Sequence, residues 1–432
     1  MKLKETIAFC LERKEYLKSI AVLGLMFVNN DKESIERYQI ERFNSIWKDA
    51  YSNIPFYKKY KADNHLPDAI NDLKELSVWP VLTKQQLMQN PEELLRNYPP
   101  DTFNITSGST GIPLRIPVKY GLASPTNMWI GRAANGVLPN FKTFIIWGHH
   151  HLHGTGIKRI INTTIRDLKD WICNYKRISA YDTSLPKMRK AFSTYNRFKP
   201  DFVIGYSSSI LAFVRCNTGA RIPKAPKAIL CTAGPLSANE KKEIENFFNA
   251  PVCMEYGSME CGVMAYTVNH GSEYNVFWNT HILQGQIDEN NKVRNIVTLI
   301  TPKYFPLIRY DIGDWLELPE KESLSNILTI NDIAGRPTDI VTLPCGISFF
   351  AMLIEACVEH LDGIIAHQLV VKDSDLKILI TGRKHYTESE KESVLAKLKD
   401  VIPALSTVEI TVEQVDALIK VKSGKKPLVV RQ

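Results

Sequence analysis

The residues best suited to chemistry begin with Thr106-Ser107-Gly108-Ser109-Thr110-Gly111, followed by Ile112-Pro113. Two glycines and four hydroxyls lie between two β-favouring stretches, residues 102–105 and 114–118. Glycine admits positive φ and lets a backbone approach a ligand closely. Backbone N–H groups and hydroxyls in such a turn can cradle an anion such as pyrophosphate. A Walker-type loop is excluded, because that motif needs Gly-Lys-Ser/Thr opening a helix. A polar hairpin turn is the alternative for this string alone.

Further clusters follow along the chain. Glu255-Tyr256-Gly257-Ser258-Met259-Glu260 puts an aromatic, a glycine and a carboxylate at an expected strand end. The aromatic can stack on a base, and Glu260 can hold Mg²⁺ bound to phosphate oxygens. Arg309-Tyr310-Asp311-Ile312-Gly313-Asp314 offers a carboxylate beside a glycine turn, suited to ribose hydroxyls. A core role for Tyr256 and a turn role for Asp314 remain open beside these. Arg336 is a fixed cation that can pair with phosphate or bridge domains. Lys422-Ser423-Gly424-Lys425-Lys426 places lysines near the C-terminus, either as a solvated end or as a mobile cation for a transferring phosphoryl group.

Four of the ten histidines fall between Gly148 and Gly154. A histidine cluster can bind metal or carboxylate. One loop seldom completes a metal site, which favours His149 and His151 as the polar wall of a substrate pocket, together with Tyr206 and Ser207.

These residues need elements to hold them. Residues up to about 60 read as helical, with Ile35, Tyr38, Ile40, Phe43, Ile46 and Trp47 near helical spacing and Pro55 as punctuation. Thr83 can cap a short helix to about Gln89, and no chemistry attaches to Ser77–Lys84. Residues 141–147 read as a buried strand. From Asp201 the pattern alternates: strand 202–206, a helix capped by Ser207–Ser209, strand 228–232, helix 239–248 and strand 252–257. This alternation predicts an α/β domain with a largely parallel sheet, whose ligands sit beyond the carboxyl ends of the strands. After Asp332 come a turn-rich joint, a hairpin at 340–346, helix 351–360, strands 367–371 and 376–381, helix 387–401, strand 407–412 and a basic tail. These make a compact α+β domain of ordinary size.

Length and composition narrow the classes. At 432 residues two or more domains are expected. Apolar content of 44% and charged content of 23% suit a globular protein. The net charge of +8 comes from scattered residues without a recognition motif, which excludes a nucleic-acid reader. Eight cysteines without a C-x-x-C pair point to reduced thiols and a cytoplasmic setting. The apolar run Ile20–Val28 is too short to span a bilayer and has no cleavage site after it, so no stable membrane insertion is expected.

In order, Thr106–Gly111, Tyr256–Glu260, Asp314, Arg336 and Gly424-Lys425 resemble the adenylate-forming superfamily over nearly the whole chain. The pattern is most similar to the phenylacetate–coenzyme A ligase-like branch, which includes capsular-polysaccharide biosynthesis members of the CapK-like type. The resemblance implies an α/β fold with a large N-terminal adenylation domain (1–335) and a small mobile C-terminal lid (336–432). It implies that a carboxylate attacks the α-phosphate of ATP·Mg²⁺, giving acyl-adenylate and pyrophosphate. Coenzyme A, an amine or a sugar-linked acceptor then takes the acyl group. By the same resemblance Ser107–Gly111 hold the β- and γ-phosphates, Tyr256 packs on adenine and Asp314 grips the ribose. Glu260 binds Mg²⁺, and Lys425 bridges carboxylate and α-phosphate. Gly234, Gly257, Ser258 and Arg336 join the nucleotide site.

Three positions depart from the family pattern. Met259 stands where Thr or Ser usually precedes the metal-binding Glu, with Ser258 as a substitute contact. Thr338 stands at the acidic hinge position. Gly234, before Pro235, stands where many relatives carry Glu. An adenylyltransferase whose AMP adduct is final, and a non-catalytic nucleotide-binding relative, are the alternative functions. Zinc held by Cys253, Cys261, His270 and His281 is a side hypothesis with buried thiols as its alternative. The carboxylate, the acceptor and the oligomeric state are left open.

Overall fold

Short apolar runs without polar alternation become strands buried on both faces, as parallel sheets require. Ala228–Thr232 is buried at every position, and Thr143–Trp147 and Phe202–Tyr206 at all but their last. The computed structural model describes residues 16–24, 31–105, 114–122, 126–147, 156–180, 185–268, 271–335, 340–343, 347–351, 353–358, 360–372, 375–420 and 427–431. Its described residues form two compact units, one within 140–252 and 336–432, the other within 16–139 and 253–335.

In the first unit the strands run Tyr175–Ser179, Thr143–Trp147, Phe202–Tyr206, Ala228–Thr232, with each pairing parallel. Helices Gly156–Ile172, Leu185–Phe198 and Ser207–Cys216 make the crossovers, and Ala238–Phe248 follows the last of these strands. An aromatic core packs among them: Phe144 meets Tyr195 edge to face, and Phe213 stacks on Phe248 at 6.0 Å. Ala238–Phe248 starts at a capping box, with Ser237 and Glu240 exchanging side-chain and backbone bonds.

The same unit contains the C-terminal α+β layer. Its sheet runs Ile410–Gln414, Asp375–Gly382, Ile364–Lys372, Val429–Arg431, with an antiparallel centre and parallel outer pairings. Thr387 and Glu390 cap Glu388–Val401. The strand expected from Thr407 begins at Ile410, because Pro403–Thr407 takes a 3₁₀ turn first. Beyond the basic segment, Val429 and Val430 pair with Leu369 and Val370, so the chain end is a strand and not only a charged tail.

In the second unit Asp31 caps Lys32–Asn53, whose Ile35, Phe43, Ile46, Trp47 and Ala50 are buried. Pro55 occupies the first turn of the next helix, Pro55–Asp63, where its missing N–H costs nothing. Trp47 packs edge to face on Tyr57 and Trp79. Two antiparallel arrays complete the unit. One runs His281–Ile287, Val293–Leu299, Tyr310–Glu317, Asp332–Gly335; the other runs Val252–Ser258, Gly262–Thr267, Tyr274–Val276, Thr329–Ile330.

Helix Ala238–Phe248 separates cap from core energetics. Ser237→Ala should cost about 1 kcal/mol through the lost cap. Phe248→Ala should cost about 3–5 kcal/mol through the cavity beneath Phe213 and Tyr195. Urea midpoints at constant slope check both, and equal losses would refute this division.

Candidate functional site

Gly257 sets the local geometry. The pairing of Val252–Ser258 with Gly262–Thr267 shifts register between Tyr256 and Gly257. A Cβ on Gly257 would lie 2.6 Å from the Gly262 carbonyl oxygen and 3.0 Å from Val263 Cα. Only glycine fits that approach. Gly262 closes the turn with φ +79°. Inside it the Cys261 amide donates to Ser258 Oγ at 3.0 Å, and Asn104 Nδ2 donates to the Met259 carbonyl at 3.2 Å. Glu260 projects from this braced turn, half-exposed, and its carboxylate makes no hydrogen bond or ion pair among the described residues. An unengaged carboxylate on a fixed turn is the donor type a hard cation such as Mg²⁺ takes.

Behind the turn lies a buried network. Tyr256 Oη donates to Asp314 Oδ2 at 2.8 Å and accepts from Asn295 Nδ2 at 2.9 Å. Tyr256 is 7% exposed, Asp314 5% and Asn295 0%. Burial, reinforced by the Asp314 charge, pushes the Tyr256 phenol well above its usual range. The phenol therefore stays protonated and donating at neutral pH. Asn295 Oδ1 is buried without a partner, a polar atom still open to a ligand or water.

The Asp314 strand, Tyr310–Glu317, is shaped by two left-handed residues, Arg309 at φ +48° and Gly313 at +78°. Arg309 is held there because its amide donates to Thr298 Oγ1 at 3.0 Å and its guanidinium to the Leu76 carbonyl at 2.8 Å. The Leu82 amide bonds the Arg309 carbonyl, and the Asp311 amide bonds the Leu82 carbonyl, each at 2.9 Å. The Ser77–Lys84 stretch, to which the sequence attaches no chemistry, thus clamps the strand that carries Asp314.

His281 lies on the far side of Cys261. Burial pushes its imidazole down to about 4. In the neutral tautomer this network assigns, Nε2–H donates to the Cys261 carbonyl at 3.1 Å, and Nδ1 accepts from Thr280 Oγ1 at 2.8 Å. Both nitrogens are engaged. Among the described residues no group of three His, Cys, Asp or Glu could hold a metal, and His270 lies outside them. Burial likewise raises the Cys261 thiol and lowers the Lys303 ammonium beside it.

The remaining sequence candidates fall in two groups. Tyr206, Ser207 and Gly234 sit together at strand ends of the first unit. Tyr206 packs on Trp147 with centroids 4.4 Å apart. Ser207 is the first residue of Ser207–Cys216, and the expected serine cap is replaced by Tyr206 as N-cap without a side-chain bond. The Ser207 hydroxyl donates instead to the Gly234 carbonyl at 2.7 Å, fixing the turn in which Ala233 takes φ +62°. Gly234 has open space at its Cβ position. Thr106, Ser107, Gly108, Ser109, Thr110, Gly111, His149, His151, Arg336 and Lys425 lie outside the described residues. Sequence reasoning missed Asn295 and Lys303. Asn295 follows Arg294 and directly precedes Ile296-Val297, so it reads as the polar edge of a strand and gave no sign of its burial.

No family model matches the sequence, nor does any curated protein. Solved structures do match in fold. 2-Hydroxyisobutyryl-CoA ligase in the postadenylation state with R3-HIB-AMP superposes with a TM-score of 0.65, at 14% identity, covering 93% of this chain and 89% of that one. The same ligase with 2-HIB-AMP gives 0.63 at 15% identity, with coverage of 93% and 89%. Anthranilate CoA ligase AuaEII with anthranoyl-AMP gives 0.53 at 14% identity, covering 75% of this chain and 65% of that one. The chain has the fold of these ligases, a large mixed α/β domain followed by a small C-terminal α+β domain.

The buried His281 gives a pH test. Between pH 6.5 and about 4 the unfolded chain binds a proton at this residue that the folded chain refuses. Stability therefore falls as pH drops through that window, by about 3 kcal/mol for this one group, and levels below it. Denaturant-derived stability against pH should slope less for His281→Gln than for wild type; equal slopes would remove His281 from the account.

Proposed function

We propose that this protein is an ATP-dependent carboxylate-activating ligase that forms an acyl-adenylate and passes the acyl group to an acceptor. The observation that carries the reading is the Glu260 turn, braced on the buried Tyr256–Asp314 pair, in a chain whose fold over 93% of its length is that of a CoA ligase crystallised with an acyl-AMP. The order of the remaining motif residues along the sequence agrees.

The chemistry follows from charge. A carboxylate and a triphosphate repel, so attack needs cations to offset both. Mg²⁺ held at Glu260 would supply charge neutralisation on the phosphate oxygens. Thr106–Gly111 would hold the outgoing β- and γ-phosphates through backbone N–H groups and hydroxyls. Lys425 would lie between carboxylate and α-phosphate, and Arg336 beside the phosphates. Tyr256 and Asp314 would support adenine and ribose, with Gly257 and Ser258 lining the nucleotide. A carboxylate oxygen then bonds to the α-phosphorus as the bond to the bridging oxygen breaks and pyrophosphate leaves. In the second step the acceptor, coenzyme A or an amine or sugar-linked group, attacks the acyl carbon; AMP leaves and the acceptor loses its proton. Residues 336–432 would serve as the lid, and His149, His151, Tyr206 and Ser207 as the carboxylate side. The order of motif residues along the sequence supports a reading within the phenylacetate–CoA ligase-like and CapK-like branch.

Met259 favours one second reading. It removes the hydroxyl usually placed before the metal-binding Glu, and it is 54% exposed at the tip of the turn. A slowed second step would make the AMP adduct the final product.

Pyrophosphate release from ATP, measured over aryl, fatty, amino and uronic acids with and without coenzyme A, tests the proposal. One acid class should release pyrophosphate, and Lys425→Ala should lower that rate by about 10²–10³-fold, as loss of a charge-stabilising group does. Intact release in Lys425→Ala would remove this lysine from the mechanism. Silence across the panel with ATP bound would sink the ligase reading.

A further inference from the structure

The helix Gly156–Ile172 packs with its polar side inward. Asp170 is 7% exposed, and it accepts from Arg177 Nε at 2.6 Å on the adjoining strand Tyr175–Ser179. Arg166 is half-buried on the same side, one turn earlier, with its Nε enclosed. The opposite side carries Ile160, Ile161, Ile165, Leu168 and Trp171, which are 68%, 52%, 60%, 58% and 62% exposed. At 100° per residue these five fall within an arc of about 140°. Single exposed apolar side chains are ordinary, but a continuous stripe of three isoleucines, a leucine and a tryptophan marks a contact surface.

Charge identifies the partner. Residues 156–200 hold eleven Lys and Arg against three Asp and Glu, a surplus equal to the +8 of the entire chain. Lys169 is exposed beside the stripe, and Lys176 is exposed on the neighbouring strand, which ends its sheet. The next helix, Leu185–Phe198, has no acidic residue and exposes Lys187, Arg189, Lys190 and Arg197. No helix among the described residues is long and apolar enough to cross a membrane. A strongly amphipathic helix set in a basic region instead suits the plane of a lipid interface. A second copy of the chain fits less well, because a two-fold contact sets the same basic region against itself.

We propose that Gly156–Ile172 seats the protein on an anionic lipid surface, with Ile161, Ile165 and Leu168 entering the acyl boundary. The full chain is to be co-sedimented with phosphatidylcholine vesicles, with and without phosphatidylglycerol. Wild type should bind the anionic vesicles, release with added salt, and bind pure phosphatidylcholine weakly. Ile165→Asp with Leu168→Asp should weaken that binding by roughly tenfold or more, as the lost apolar insertion requires. Circular dichroism melting shows that the variant is folded, since both side chains are exposed. Lys169→Glu with Lys176→Glu should weaken binding to anionic vesicles alone. Absence of wild-type binding to every vesicle overturns the proposal, and so does unchanged binding by the folded Asp variant. A wild-type dimer that the Asp variant converts to monomer, without vesicle binding, would assign the stripe to a second copy instead.

Discussion

The candidate nucleotide side rests on one buried hydroxyl. Tyr256 Oη joins three strands: its own, the Asn295 strand Val293–Leu299 and the Asp314 strand Tyr310–Glu317. A carboxylate as enclosed as Asp314 is costly to keep charged unless donors meet it. Tyr256 is such a donor because its own burial keeps the phenol protonated. The Asp314 charge adds to the effect of burial on that phenol. Removing one partner would leave the other buried and short of a bond, which costs more than the bond itself contributes. The Glu260 turn begins two residues beyond this junction, so its position depends on the network holding.

Backbone restrictions add a second layer. Gly257 lets two strands approach where any side chain would collide with the Gly262 carbonyl. Arg309 accepts a left-handed φ because three separate segments bind it, at Thr298, Leu76 and Leu82. Such strain persists only where the surroundings over-determine it. Here it turns the chain directly before the strand that delivers Asp314.

The sequence made some of this legible and hid the rest for physical reasons. Strand Ala228–Thr232 is legible because burial on both faces leaves an unbroken apolar run. Ala238–Phe248 and Glu388–Val401 announce themselves through Ser237/Glu240 and Thr387/Glu390. The sheet from His281 to Gly335 is harder to read, because its interior holds His281, Gln284, Asn295 and Thr298. Buried polar side chains interrupt the pattern that marks a strand. Ser207 misleads for a related reason: a serine opening a helix reads as a cap, yet its hydroxyl serves a turn 27 residues away. Tyr256 and Asp314 stand out singly as residue types, but the bond across 58 positions is a property of the folded chain alone.

Periodicity shows the same limit from another direction. Lys32–Asn53 and Gly156–Ile172 both carry apolar residues at helical spacing, yet the two helices turn that stripe in opposite directions. Lys32–Asn53 turns it inward, burying Phe43, Ile46 and Trp47. Gly156–Ile172 does the reverse, with Asp170 bonded to Arg177 on the strand it packs against. A buried carboxylate–guanidinium pair costs desolvation and contributes little net stability. Five large apolar side chains left more than half exposed forgo much of the stabilisation that burial would bring. A sequence keeping both costs in one helix departs from the agreement among levels expected of a chain optimised for folding alone, and such departures concentrate at functional surfaces.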